Sequence, residues 1–389
     1  MNKLNKFNFL FCNCSIVFFV YYFAIITGIS EAVAQPADPL QIERSDPLIP
    51  KGYGKRELSS FEKYRLQKEI VKLDKNAKNK LNRGNASLAM ELWYRRLRLT
   101  RIIGTKAEIK ALGKIGAIAW QENFTDDVRN IANRLSAIQT TEAMDKNVSF
   151  ELLNDLALAY ESVRYLDKVI DIYEQISLNR TNKNKIIDKL GELYLDVFDY
   201  DNAAKIYQQK LKGDISPKKQ ETIFKTLVEI YDKTQQVNRS IDIKKQLVKH
   251  YIRKNKRKEI PALKIAIAQD YETLTQAQKA ISFYQQAFDT ALKNKQLAIA
   301  SDALTKRGKL QQEKNIKQAI DTYNKLITVQ QQSYNYYGLI NTYDTLGKIY
   351  LKSNKPNKAK QFFQQGLNVA ITLNYRIKYF RDRLKSVNP

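Results

Sequence analysis

Two cysteines and one histidine are all that this 389-residue chain holds of the side chains that most often bind transition metals. Cys12 and Cys14 both fall inside an apolar run from Phe7 to about Ile29. The rest of the chain therefore has no thiol for a disulfide, a thiolate metal site or a covalent intermediate. His250 stands alone and cannot build a histidine-based zinc or iron centre. Glycine and proline are also scarce, at 13 and 8 residues, which favours helices. No Gly-rich phosphate loop, Gly-x-Ser-x-Gly elbow or His-Glu-x-x-His pair occurs. Asp and Glu are spread over helical segments with no cleft signature around them. The sequence thus argues against an enzyme and implies no cofactor and no resident metal.

Positive charge is what the chain has in excess, with a formal net charge of +26. Its N-terminus reads as a secretory signal: Lys3 and Lys6, the apolar run, then Ala32-Val33-Ala34 before Gln35-Pro36. Cleavage after Ala34 is expected, with retention as a membrane anchor as the alternative, because about 18 apolar residues already span a bilayer. Export to the periplasm or thylakoid lumen follows. An exported protein meets little nucleic acid, so the basic balance points to anionic lipid or acidic proteins, or to lysines coating solvated helix faces. Residues 35–60 carry Pro36, Pro39, Pro47 and Pro50 with Gly52 and Gly54 and read as an extended linker.

Across residues 61–385 apolar residues return at three- and four-residue steps, interrupted only by Pro217, Pro261 and Pro356 at turns or helix starts. The chain aligns with itself. One unit reads Tyr343, Leu346, Gly347, Tyr350, Ala359, Phe363 and Gly366; another reads Ile187, Leu190, Gly191, Tyr194, Ala203 and Tyr207. Further copies run through Leu153 to Tyr173 and Ile267 to Ala287, with weaker ones between. This alternation of small and large residues resembles the tetratricopeptide repeat (TPR), whose unit of about 34 residues folds as a helix hairpin. The resemblance implies an all-α superhelical solenoid of about eight hairpins over residues 61–389, with a capping helix from Asn374 to Leu384. Stacked hairpins share one continuous core, which accounts for the repeated Tyr and Phe.

In TPR arrays the first helix of each hairpin lines a groove that binds other proteins. The corresponding positions here hold Glu161, Asp188, Glu192, Asp196, Glu229, Asp232 and Glu272. An acidic stripe inside a basic protein suits a basic peptide segment. It also admits a hard divalent cation such as Mn²⁺, for which oxygen ligands suffice. The clamp that holds chaperone C-termini needs Lys and Asn at these positions, and Lys225 alone matches. A contrasting basic patch, Lys249, Arg253, Lys254, Lys256, Arg257 and Lys258, is a second candidate, for an acidic partner or an anionic membrane. Arg95, Arg96, Arg98 and Arg101 form another cationic cluster.

Together with the signal and the Pro-rich start, the segments Glu91 to Leu99 and Ile115 to Trp120 are similar to exported TPR proteins of cyanobacteria. That group includes a periplasmic factor of photosystem II assembly that handles manganese. The resemblance implies a scaffold or assembly factor in the cell envelope, with Mn²⁺ binding as the alternative.

Overall fold

The computed structural model describes residues 38–42, 46–143, 149–177 and 183–387. The expected signal at residues 1–34 lies outside them. Among the described residues there are seventeen α-helices and no β-strand. They pair in chain order: α1 (Ser60–Asn82) with α2 (Ala86–Ile103), α3 (Thr105–Gln121) with α4 (Thr125–Ala143), and α5 (Phe150–Ser162) with α6 (Leu166–Ser177). Next come α7 (Lys183–Asp196) with α8 (Tyr200–Leu211), α9 (Pro217–Lys233) with α10 (Val237–Arg253), and α11 (Ile260–Thr273) with α12 (Ala277–Lys293). The last pairs are α13 (Leu297–Lys314) with α14 (Ile316–Gln332), and α15 (Tyr336–Lys352) with α16 (Pro356–Thr372); α17 (Ile377–Val387) follows alone. The expected all-α solenoid of eight hairpins is the observed architecture.

The turns inside most hairpins are as short as they are because one helix end serves two purposes. After α7, Phe198 adopts φ 60°. Its N–H donates to Leu195 O and that of Asp199 donates to Tyr194 O, the Schellman pattern that satisfies the last carbonyls of a helix. Asp199 then caps α8, accepting from Asn202 N at 3.1 Å. Gln236 N donates to Tyr231 O, Gln276 N to Tyr271 O and Lys355 N to Tyr350 O in the same way. The repeat tyrosine therefore fills the core with its ring and closes the turn with its backbone carbonyl.

Core positions follow the alternation in the sequence. Leu346, Ala359 and Phe363 are fully buried, and a Cβ on Gly347 would stand 2.4 Å from Phe363 Cε1. No larger residue fits between these two helices. At the far end α17 takes the place of a next hairpin: Phe380 is fully buried over Gly366, where a Cβ would meet its Cε1 at 2.4 Å. Tyr379 donates to Asp344 at 2.8 Å and Arg376 to Asn341 at 3.0 Å, fixing the cap.

The described part of the Pro-rich segment has no helix. It lies against the first hairpin. Leu58 is buried with Leu66, Ile70 and Leu73, and Leu48 and Ile49 pack beside them. Arg95 donates to both oxygens of Asp46 at 2.8 and 3.0 Å, and Arg98 to Pro39 O at 2.6 Å. Arg96 is buried beside Asp74. Arg95 and Arg98 of α2 thus fasten the N-terminal segment, while Arg96 faces α1 and Arg101 approaches Glu108 of α3 at 4.0 Å.

Candidate functional site

Ion pairs link the first helices of successive hairpins from α1 to α9. Asp74 of α1 meets Lys114 of α3 at 3.4 Å, and Lys110 of α3 meets Asp155 of α5 at 3.6 Å. Glu161 of α5 accepts from Lys189 of α7 at 2.6 Å, Asp188 of α7 approaches Lys219 of α9 at 3.9 Å, and Glu221 of α9 accepts from Lys256 at 2.6 Å. The partners in these steps sit where neighbouring helices meet.

This ladder rearranges the expected acidic stripe. Glu161 and Asp188 are edge residues, the latter also accepting from Lys210 at 2.6 Å. Asp232 faces its own hairpin, where it accepts from Ser240 at 2.5 Å and from Lys244 at 3.0 Å. Glu272 turns to α12 and accepts from the Tyr284 hydroxyl. Glu229 is exposed and pairs with Lys233 of its own helix at 3.0 Å. Of seven candidates, five have a partner: Glu161 and Asp188 meet lysines of the next hairpin, and Asp232, Glu272 and Glu229 are held within their own hairpin or helix.

Glu192 and Asp196 differ. Both are exposed on α7 and form no ion pair or hydrogen bond with another described residue. They share a face with Asp188 at four-residue spacing. The three carboxylates converge electrostatically on Tyr207, whose ring packs over Gly191. Burial raises the Tyr207 pKa first, and Glu192, Asp188 and Asp196 raise it further. Just beyond Asp196 stands Phe198, 73% exposed in a left-handed conformation that bulky L-residues rarely adopt. On the preceding first helix Leu158 is also exposed. Nothing in the sequence pattern distinguished Phe198, since it lies outside the repeat positions. The observable signal was an aromatic where a Schellman turn favours Gly or Asn.

The structure also divides the basic patch. Lys249 and Arg253 border a surface recess with Gln220, Phe224 and exposed Ile252. Lys256, Arg257 and Lys258 line another with Lys225, Glu221, Glu259 and Asn294. Lys254 is exposed on the turn between them. That turn is pinned: Asn294 donates to Arg257 O at 2.8 Å and Gln296 to Lys258 O at 3.0 Å. Lys256 and Lys225 both hold Glu221, whose pKa they lower. Among the described residues no group of three or more His, Cys, Asp or Glu is arranged to hold a metal ion. Of the α7 acids, Asp188 is already held by Lys210 and Lys219, and the three do not come together as such a group.

Residues 310–372 match the family model described as "Tetratricopeptide repeat". No curated protein matches the chain. Among solved structures it is similar to the C-terminal part of a TPR repeat-containing protein from Cytophaga hutchinsonii, at 18% identity over 70% of this chain and 99% of that one, with a TM-score of 0.36. A STAND protein with a tetratricopeptide repeat sensor from Pyrococcus horikoshii shows 12% identity over 86% and 50% of the two chains, with a TM-score of 0.38. Aspartyl phosphate phosphatase F from Bacillus subtilis shows 17% over 68% and 76%, at 0.34. The chain is an all-α solenoid of helix hairpins stacked in chain order, and its residues 310–372 match the tetratricopeptide repeat family.

Proposed function

We propose that the protein is a binding scaffold whose first-helix surface holds a partner protein through a basic segment laid across α7. The observation that carries this reading is the pair Glu192 and Asp196, the two candidate carboxylates that the ion-pair ladder leaves unneutralised. Phe198 beside them supplies apolar contact, and its backbone conformation costs the turn about 1 kcal/mol or more. A cationic peptide with an apolar neighbour fits this combination of charge and exposed ring. Export to the cell envelope belongs to the same proposal and rests on the N-terminal sequence alone.

Affinity capture with the parent chain beside a Glu192→Lys/Asp196→Lys variant tests the site. The expected result is a partner retained by the parent and lost by the variant at equal helix content. Identical partner lists would sink the α7 assignment. The alternative, Mn²⁺ handling like that of the cyanobacterial assembly factor, predicts a rise in melting temperature at millimolar Mn²⁺; no cluster of carboxylates among the described residues supports it.

A further inference from the structure

The two ends of the solenoid are finished differently. At the C-terminal end α17 covers the last hairpin with Phe380, whereas at the N-terminal end no helix among the described residues lies over the outer face of α1. Leu66, Ile70, Leu73 and Ala77 of α1 point into the fold. On the opposite side Phe61, Tyr64 and Val71 are 72%, 63% and 68% exposed. At 3.6 residues per turn they share that face with Lys68, Lys72 and Lys75, so apolar and cationic side chains interleave along it.

Charge on α1 is equally one-sided. Its acids, Glu62, Glu69 and Asp74, are each consumed, by Arg56 at 2.6 Å, Lys72 at 2.7 Å and Lys78 at 3.1 Å. Lys63, Arg65, Lys68 and Lys75 are exposed and make no ion pair with a described residue. A face with exposed aromatics, long cationic side chains and no free carboxylate matches the interface of an anionic bilayer. Rings settle at the headgroup level there and lysines reach the phosphates. A basic protein surface built only for solubility has no need of Phe61, Tyr64 and Val71 in one line.

Chain length agrees. The eight residues between Ile29 and Asp38 span nine Cα steps, at most about 32 Å, so where the apolar run is retained as an anchor it holds this end of the solenoid near the bilayer surface. We propose that the outer face of α1, from Phe61 to Lys75, docks on an anionic phospholipid surface and leaves the α7 site free for a partner. The two functions are separable, because α1 and α7 belong to different hairpins and share no residue.

The test uses the full chain carrying Phe61→Trp, bound to vesicles with brominated acyl chains, either neutral phosphatidylcholine or phosphatidylcholine mixed with phosphatidylglycerol. Native Trp93 is buried and Trp120 lies on α3, so the readout is the emission added over the parent. The expected result is loss of most of that added emission in the anionic vesicles and little loss in the neutral ones. Salt at 1 M, which shortens screening to about 3 Å, should restore it. Lys68→Gln/Lys75→Gln in the same background should also restore it, the docked fraction falling about 30-fold for two surface cations. Tyr64→Trp provides a second reporter on the same face should Phe61→Trp lose helix content by circular dichroism. Added emission untouched by brominated lipid in both compositions would overturn the proposal and leave a protein as the cover for α1. Equal quenching in neutral vesicles would overturn it too, since the cations would then play no part.

Discussion

Lys244 of α10 donates to Asp270 of α11 across 2.8 Å, tying two successive hairpins together at a layer where the apolar core gives way to polar groups. The lysine is buried and also reaches Asp232 at 3.0 Å. Burial raises the Asp270 pKa while Lys244 opposes that rise. Around this layer the hydrophobic contacts divide into one cluster reaching Ile260 and another reaching back to Ile241.

Removing one member strands the other. Lys244→Met leaves Asp270 without its buried partner and should destabilise the fold by about 3–5 kcal/mol. Lys244→Met/Asp270→Leu should recover most of that loss. Denaturant melts of the two variants check the expectation, and equal losses would show that the pair has no buried character.

A second polar group in the same hairpin sets a pH dependence. His250 is buried, its Nδ1 3.0 Å from Gln220 Oε1 and its Nε2 3.9 Å from Glu221. Burial lowers its pKa below 6.5, with Arg253, Lys254 and Lys256 adding to the effect and Glu221 opposing it. A base whose folded pKa is depressed binds its proton more readily when unfolded, so its contribution is complete above pH 6.5 and is lost as pH falls through the folded value. Melting temperature should fall from pH 7.5 toward 5.5, and His250→Gln should flatten that slope.

The Glu161–Lys189 pair is part-exposed, so solvent screening leaves it little energy. Glu161→Gln should change stability by under about 1 kcal/mol and leave partner capture intact. Glu192→Lys/Asp196→Lys should show the opposite pattern, unchanged melting with lost capture.

Phe198→Gly separates turn stability from binding. Glycine adopts φ 60° freely, so the variant should melt at the parent temperature or slightly higher, by up to about 1 kcal/mol. It should bind the partner more weakly, because the exposed ring is gone. Loss of both stability and binding would show that Phe198 serves packing.

Packing itself is tested at Gly347→Ala, where the new methyl would stand 2.4 Å from Phe363 Cε1. A cost of about 1–3 kcal/mol is expected from overpacking. Thermal melts give the value directly.

The repeat was legible because stacking imposes it: Gly347 beside Phe363, and Gly191 beside Tyr207, record in sequence which helix approaches which. Seven carboxylates at first-helix positions were legible as well, but their ionic state was not. Periodicity places Glu161 and Glu192 on surfaces of the same kind, yet it does not say which lysine of the neighbouring helix arrives beside them. The same limit applied to Arg95, Arg96 and Arg98, which read as a basic cluster and proved to hold Asp46, Asp74 and Pro39.

The amino-acid sequence by itself determined the all-α class, the hairpin repeat, its approximate count, and the lack of thiol and multi-histidine sites over the solenoid. These depend on local propensity and on spacing within one hairpin, both written in consecutive residues. Only the tertiary structure decided that five of the seven acids have partners, that Glu192, Asp196 and Phe198 remain open, and that no helix among the described residues covers the outer face of α1. Those outcomes depend on distances between helices that stacking sets, and no periodicity in the chain encodes them residue by residue.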